Sequence, residues 1–401
     1  MFNSIQLFGV ILLGGLGAGE LSRRVFALPR TTGYVVFGLM VGQSGFGWIT
    51  PYHIESAQLF IDLALGLILF ELGYHVPPVP SPVYWNRIRA GLVIALITGG
   101  AIALELLAWG FSPESSLFAA ALCLATSPAI TIATCSDLGA KGEKTGLLYA
   151  LVAINGCVAF IAVELSLPFL LDYQTTQGLA GVWEATQKIG ISVLLGGACT
   201  GLVLLSAERL GRRPEHQHLL LLGTIVLGVG TSIYLDISVL MPMLIFGFLT
   251  RSLDQDKQVV AIRIASDARI FLVVTFVLAG AALDIGVLVE YWQEALLLAL
   301  ARFAGQFAAV VWNRKRLDLS MQTSVYLAVG LQPMSSIALV LLSNTQALYS
   351  GLDAQLTGTL LATILLMQLF GPLATQTAIK GFGEVQGAEP IPLLADSEAV
   401  K

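Results

Sequence analysis

The sequence has few charged residues. Asp, Glu, Lys and Arg make up 12% of its 401 residues, whereas soluble domains contain about 25%. Hydrophobic residues account for 56% of the chain, and apolar blocks of about 20 residues, long enough to cross a bilayer, recur from one end to the other. A soluble globular fold is therefore excluded, and we predict an all-α polytopic membrane protein.

Cysteine is also scarce, and all four cysteines lie within apolar blocks. None of them belongs to a CxxC pair, so we expect neither a disulfide nor a structural metal site. The chain lacks a recognisable Ser-His-Asp set and a phosphate-cradling loop. We therefore expect no enzyme, no resident cofactor and no nucleic-acid partner.

The apolar blocks predict about thirteen membrane-spanning helices joined by short links. Their predicted bounds are 4–22, 31–48, 56–77, 88–110, 115–136, 144–171, 188–207, 217–235, 237–250, 265–283, 288–311, 320–343 and 355–379. Basic residues follow the odd-numbered spans, whereas the alternate links hold only Lys188. Because basic residues mark cytoplasmic loops, we expect the N-terminus outside and the C-terminus in the cytoplasm, with the chain in a bacterial inner membrane.

Two prolines interrupt predicted helices at matching positions. Pro128 lies in span 5 and Pro333 in span 12, 205 residues apart. Spans 1–6 then correspond to spans 8–13, with span 7 as the connector. Six spans plus one intervening helix offset the copies by seven spans, so the second copy inserts upside down. Paired interruptions in inverted halves are typical of a transporter's binding site. In the alternative interpretation, each proline only kinks its helix.

This repeat defines the predicted domain organisation. One transmembrane domain covers 1–380, with a first repeat at 1–171, a connector helix at 188–207 and a second repeat at 217–380. The polar stretch 381–401 predicts a disordered cytoplasmic tail.

Polar residues fall at a similar depth in four spans. With a rise of about 1.5 Å per residue, Ser127, Asn155, Arg302 and Gln332 lie about 14–20 Å from the inner face, and Glu71 about 9 Å from it. An arginine in mid-membrane costs at least about 2.5 kcal/mol, so Arg302 should have a partner. It either compensates charge beside an ion site or pairs structurally with Glu71 or with helix-end carbonyls.

Several stretches resemble the monovalent cation:proton antiporter superfamily. They are Leu21–Arg24 followed by Leu28–Arg30, then Leu65–Glu71, Phe276–Ala281, Ala301–Gly305 and Gly330–Pro333. The resemblance implies a homodimer in which a six-helix core moves across the membrane like an elevator against a scaffold. It also implies that two broken helices cross at the centre. A polar pair on the sixth span, commonly Asn-Asp or Asp-Asp, would bind cation or proton in competition.

Two positions depart from that pattern. The polar pair corresponds to Asn155 and Gly156, so the usual essential carboxylate is absent. Ser127 stands where many relatives carry an aspartate, whereas Arg302 matches the family's basic residue. Coupling a cation to a proton requires a titratable group, and asparagine, glycine and serine do not titrate. We therefore assign that role to Glu71.

These observations predict a secondary transporter that exchanges Na⁺ or K⁺ for protons. The candidate ion-binding and transport residues are Asn155, Gly156, Ser127, Thr126, Glu71, Arg302 and Gln332. Two alternatives stay open. The chain either keeps a transporter fold for ion or partner binding and sensing without coupled exchange, or carries another solute, such as an anion attracted to Arg302 and to positive half-helix ends.

Overall fold

The computed structural model describes residues 4–76, 82–171, 178–210, 214–254, 264–348 and 352–385, and within these ranges it is helical and contains no β-strand. Its helices are α1 (Ser4–Phe26), α2 (Arg30–Val41), α3 (Pro51–Ser56), α4 (Gln58–His75), α5 (Pro82–Ala108), α6 (Pro113–Cys123), α7 (Pro128–Leu138), α8 (Glu143–Leu171), α9 (Gly178–Leu210), α10 (Pro214–Tyr234), α11 (Leu240–Leu253), α12 (Ile264–Ala281), α13 (Ile285–Glu290), α14 (Trp292–Asn313), α15 (Met321–Gly330), α16 (Ser336–Leu348) and α17 (Ala354–Phe382). Each predicted span coincides with one helix or with two consecutive helices, which confirms the all-α polytopic fold class.

Seven of the described helices are long and apolar enough to cross a membrane individually. The second and ninth predicted spans are the shorter helices α2 and α11, and the fifth and twelfth are pairs of helices separated by a break. An interrupted helix does not offer a continuous apolar length. Such breaks are tolerated within a membrane only where the freed backbone groups are buried in protein or line a cavity.

Some predicted bounds were wrong by more than one helical turn. The second span was predicted at 31–48, but α2 ends at Val41, and a glycine-containing turn follows. The connector was predicted at 188–207, but α9 begins ten residues earlier, at Gly178. Its early turns include the polar residues Glu184, Thr186 and Gln187, and Lys188 forms ion pairs with Glu184 (3.5 Å) and Asp236 (3.9 Å). Hydropathy alone misses such a polar extension.

The end of the chain is only partly described. Helix α17 continues to Phe382, two residues beyond the predicted end of the membrane domain, and Gly383 terminates it in the left-handed conformation (φ 71°) that favours glycine. Residues 386–401 lie outside the described residues, so the predicted disorder of the tail stays a prediction.

Glycines bring two helix pairs into close contact. A Cβ added at Gly38 in α2 would lie 2.0 Å from the Val277 carbonyl oxygen in α12, and one at Gly247 in α11 would lie 2.0 Å from the Phe70 carbonyl oxygen in α4. Only glycine permits such backbone contact. An inverted repeat relates span 2 to span 9 and span 3 to span 10, so it relates these two helix pairs to each other.

Candidate functional site

Two broken helices cross at the centre of the fold. The first break separates α6 from α7, and the second separates α15 from α16. The extended segments run antiparallel and share two backbone hydrogen bonds. The Ser127 amide donates to the Pro333 carbonyl (2.8 Å), and the Ser335 amide donates to the Ala125 carbonyl (3.1 Å). Each break therefore satisfies part of the backbone that the other exposes.

A serine caps the second half-helix after each break. The Ser127 hydroxyl accepts a hydrogen bond from the Ile130 amide (3.3 Å), and Pro128 occupies the first turn of α7, where its missing N–H costs nothing. The Ser335 hydroxyl accepts from the Ile337 amide (3.3 Å) in the same way. Both caps are neutral, so the positive N-terminal ends of α7 and α16 meet no compensating charge from these serines.

Arg302, on α14, is fully buried and binds the other two half-helix ends. Its Nε donates to the Cys123 carbonyl (2.7 Å), its Nη2 to the Leu331 carbonyl (3.2 Å), and its Nη1 to the Gln332 carbonyl. The Thr126 hydroxyl lies 3.4 Å from Nη2. A cation at the C-terminal ends of helices is stabilising, and the five guanidinium donors match several carbonyls at once. The partner of Arg302 is thus the set of helix-end carbonyls.

Glu71 lies apart from this crossing. Within the described part of the chain, Glu71 and Arg302 share neither a hydrogen bond nor an ion pair, so the interpretation in which they pair was wrong. The Glu71 backbone carbonyl accepts a hydrogen bond from His75 Nδ1 (2.7 Å), and its Oε2 is buried without a described hydrogen-bond partner. The carboxylate interacts electrostatically with Tyr149, whose ring lies 4.9 Å from that of His75. Among the residues that the structure describes, the Glu71 carboxylate therefore forms neither a hydrogen bond nor an ion pair.

The sequence analysis missed Gln306, which is 1% exposed. It follows Arg302 by one helical turn, and its Nε2 donates to the Leu331 carbonyl (3.3 Å). Its Oε1 accepts from Gln332 Nε2, which also donates to the Ala328 carbonyl (2.9 Å). The sequence feature that could have identified it is an amide four residues after Arg302, on the same face of an otherwise apolar helix. Gln306 and Gln332 hold the second break in place.

Asn155 and Gly156 lie in the middle of α8. Asn155 is 1% exposed, and its Oδ1 has no hydrogen-bond partner among the described residues. A buried acceptor without a partner costs about 1–3 kcal/mol, which a bound cation would recover. A Cβ added at Gly156 would meet only Leu240 Cδ1, at 3.9 Å, so the usual carboxylate is absent from a position that has room for a side chain.

A cavity of about 460 Å³ opens beside the crossing. Ala129 and Ile337, from the first turns of α7 and α16, are part of its lining, and Asp62 and Glu164 line it as well. These two carboxylates therefore share one cavity. Gln368 also lines it, 4% exposed, and neither of its amide atoms has a described partner. The rest of the lining is mostly apolar, so Asp62, Glu164 and Gln368 are polar groups in an otherwise apolar cavity that adjoins the crossing.

Taken together, the crossing holds one buried guanidinium, two neutral serine caps and a neutral amide. Thr126, Ser127, Arg302 and Gln332 meet there, whereas no hydrogen bond among the described residues joins Asn155 to them. Such a site can coordinate a cation through amide and backbone oxygens. It cannot by itself exchange that cation for a proton, because none of these four groups titrates in the neutral range.

Comparison with known proteins identifies a matching family and a similar fold. Residues 8–380 match the family described as "Sodium/hydrogen exchanger, transmembrane". The fold is similar to that of the sodium proton antiporter MjNhaP1 from Methanocaldococcus jannaschii, with a TM-score of 0.67 and 18% sequence identity. The match covers 94% of this chain and 97% of the other. At that identity the structural similarity establishes a shared fold.

Proposed function

The chain belongs to the transmembrane sodium/hydrogen exchanger family, and from this premise we propose that it is a secondary transporter that exchanges Na⁺ or K⁺ for protons. The observation that carries the proposal is the pair of crossed, broken helices held by the fully buried Arg302. Unwound backbone beside opposed helix ends is the arrangement that replaces the hydration shell of an ion within a bilayer.

In this proposal the cation binds next to the breaks. The Asn155 Oδ1 atom, which lacks a described partner, is the side-chain ligand, and the backbone of the two breaks supplies further oxygens. Arg302 neutralises the negative ends of α6 and α15, which prevents those ends from holding the cation too tightly to release it. Ser127 orders the start of α7 through its cap.

Glu71 is the proposed titrating group. A carboxylate that alternates between a proton and a cation must have no permanent cationic partner, and Glu71 meets this condition because Arg302 is occupied elsewhere. Glu71 lies on α4, which packs against both α7 and α8. Proton binding at Glu71 would thus be transmitted to the helices that carry the break and Asn155.

The elevator movement, the homodimer, the placement in a bacterial inner membrane, and the orientation with the N-terminus outside are further parts of this proposal. The first two rest on the family resemblance, and the orientation rests on the distribution of basic residues. Accessibility labelling of single cysteines at the two chain ends, in right-side-out and inverted vesicles, tests the orientation directly.

Transport is tested with the purified protein in liposomes that carry an imposed pH gradient and an internal pH dye. Addition of Na⁺ or K⁺ should dissipate the gradient, and Li⁺ and several pH values complete the scan. Glu71→Gln should abolish the response. Glu105→Gln is the matched control, since Glu105 is another intramembrane glutamate whose Oε2 is buried without a described partner. Full activity in Glu71→Gln would end the assignment of Glu71.

A second candidate function is supported by the absent carboxylate at Gly156. The fold would then bind an ion or a partner without coupled exchange. Thermal stabilisation by Na⁺ or K⁺ without any flux would select this candidate. An anion carrier is less well supported, because the Arg302 guanidinium is fully buried and bound to carbonyls. Flux of an organic anion that disappears in Arg302→Gln would support the function of an anion carrier.

A further inference from the structure

The N-terminus of α8 holds a carboxylate from the far end of the chain. The Glu384 side chain accepts hydrogen bonds from the Lys144 amide (2.9 Å), the Thr145 amide (2.7 Å) and the Thr145 hydroxyl (2.7 Å). Backbone amides at the start of a helix favour negative charge and are a common anion site. The position is therefore built for an anionic group, and the chain's own carboxylate occupies it.

A large polar cavity adjoins this carboxylate. Its volume is about 630 Å³, and besides Glu384 it is lined by the basic residues Arg87, Lys144 and Arg316 and by the acidic residues Glu143 and Asp318. Small-molecule sites commonly enclose about 300–1,000 Å³. The cavity is thus much larger than one carboxylate requires.

Arg87 provides independent evidence for a ligand. It is 9% exposed and lines the cavity, yet it makes neither a hydrogen bond nor an ion pair within 4.0 Å to any residue that the structure describes. The other two basic residues differ, since Lys144 Nζ donates to the Phe382 carbonyl (3.1 Å) and Arg316 Nη1 to Asn313 Oδ1 (3.0 Å). Its charged neighbour in the cavity is Glu143, which interacts with it electrostatically. The guanidinium donors of Arg87 have no hydrogen-bond acceptor among the described residues, so they are available to a ligand that enters the cavity.

We propose that this cavity binds a phosphate group, which is held by Arg87, Lys144 and the α8 N-terminus and competes with the Glu384 carboxylate. A guanidinium and helix-terminal amides together match the charge and the several oxygens of a phosphate. Free phosphate compounds and the headgroups of anionic lipids share this chemistry. The site is separate from the proposed exchange site, because Asn155 lies twelve residues along α8, or about 18 Å away.

Inorganic pyrophosphate is the first probe, added to the full chain in an uncharged detergent at constant ionic strength. The wild type should bind it saturably, as measured by calorimetry and by a rise in melting temperature. Arg87→Gln should weaken binding by at least about tenfold, since hydrogen bonds to charged groups contribute about 1.5–3 kcal/mol each. Arg89→Gln is the matched control: it removes an exposed arginine two residues away on the same helix and should change binding by less than about twofold.

Glu384→Gln provides a test that misfolding cannot imitate, because its expected effect is tighter binding. Replacing the competing carboxylate by a neutral amide should lower the dissociation constant for pyrophosphate by at least about tenfold, on the same reasoning. If neither the wild type nor Glu384→Gln binds pyrophosphate saturably, or if Arg87→Gln and Arg89→Gln lose affinity equally, the proposal is overturned for soluble phosphate.

Nanodiscs distinguish the source of the phosphate. If the ligand is a lipid headgroup, adding phosphatidylglycerol to phosphatidylcholine discs should raise the melting temperature of the wild type but not that of Arg87→Gln, without pyrophosphate present. If the ligand is soluble, pyrophosphate should have this effect in discs of phosphatidylcholine alone. If neither addition distinguishes the two proteins, the cavity does not bind phosphate.

Discussion

Replacement of Arg302 tests how much the crossing of the broken helices depends on one side chain. Its guanidinium donates to carbonyls of Cys123, Leu331 and Gln332, and it is fully buried. Arg302→Gln removes the charge and leaves at least two of these buried acceptors without a donor. Each unsatisfied group costs about 1–3 kcal/mol, so the loss of two donors should lower the free energy of unfolding by about 2–6 kcal/mol.

Arg302→Lys should fall between the wild type and Arg302→Gln. An ammonium group retains the charge at the helix ends but is a point donor and cannot reproduce the planar fork. Gln306→Leu should cost about 1–3 kcal/mol, since the hydrogen bonds to the Leu331 carbonyl and from Gln332 Nε2 are both lost. Arg209→Gln, at an exposed site at the end of α9, is the control and should stay within about 0.5 kcal/mol of the wild type.

The measurement is equilibrium unfolding of the purified variants in mixed micelles, followed by circular dichroism. A double-mutant cycle of Arg302→Gln and Gln332→Ala measures the coupling free energy between Arg302 and Gln332 at the second break. This coupling should be about 0.5–3 kcal/mol, as for residues in one network. If the free energy of unfolding of Arg302→Gln lies within 1 kcal/mol of the wild-type value, the change is about the cost of one ordinary hydrogen bond. The guanidinium then does not hold the crossing, and the account of the site is wrong.

Three further predictions concern other parts of the molecule. Gly247→Ala should destabilise the protein by at least about 1–3 kcal/mol, because its Cβ would lie 2.0 Å from the Phe70 carbonyl oxygen. Gly197→Ala, whose Cβ would have nothing within 4 Å, should stabilise the protein by about 0.5–1 kcal/mol. Thermal melts of the two variants compare these effects. Gly156→Asp should fold, because the site has room for a side chain, and should change the pH dependence of cation-driven flux in liposomes; an unchanged profile would show that this position does not face the ion. Asp62→Asn should raise the apparent KM for cation on the outer side a few-fold at about 0.01 M ionic strength and have less effect at 1 M, because salt screens attraction into the cavity; a KM effect independent of salt would refute the steering role.

The breaks in the two helices were determined largely by local sequence. Pro128 removes an amide and starts a new helix, and Ser127 before it is an N-cap. The same rules do not locate Gln306, because a single amide in an apolar helix is common and its partners lie elsewhere in the chain. Its role became visible only when α14 and the second break were placed together.

The sequence by itself determined the helical spans and the two breaks, because hydropathy and proline act over short distances along the chain. The tertiary structure alone decided what Arg302 binds, since Cys123 is 179 residues away and a backbone carbonyl leaves no mark in a sequence. It also decided that Glu384 caps α8, with a partner 240 residues away. Contacts of this kind depend on how helices pack, and packing is a property of the whole chain.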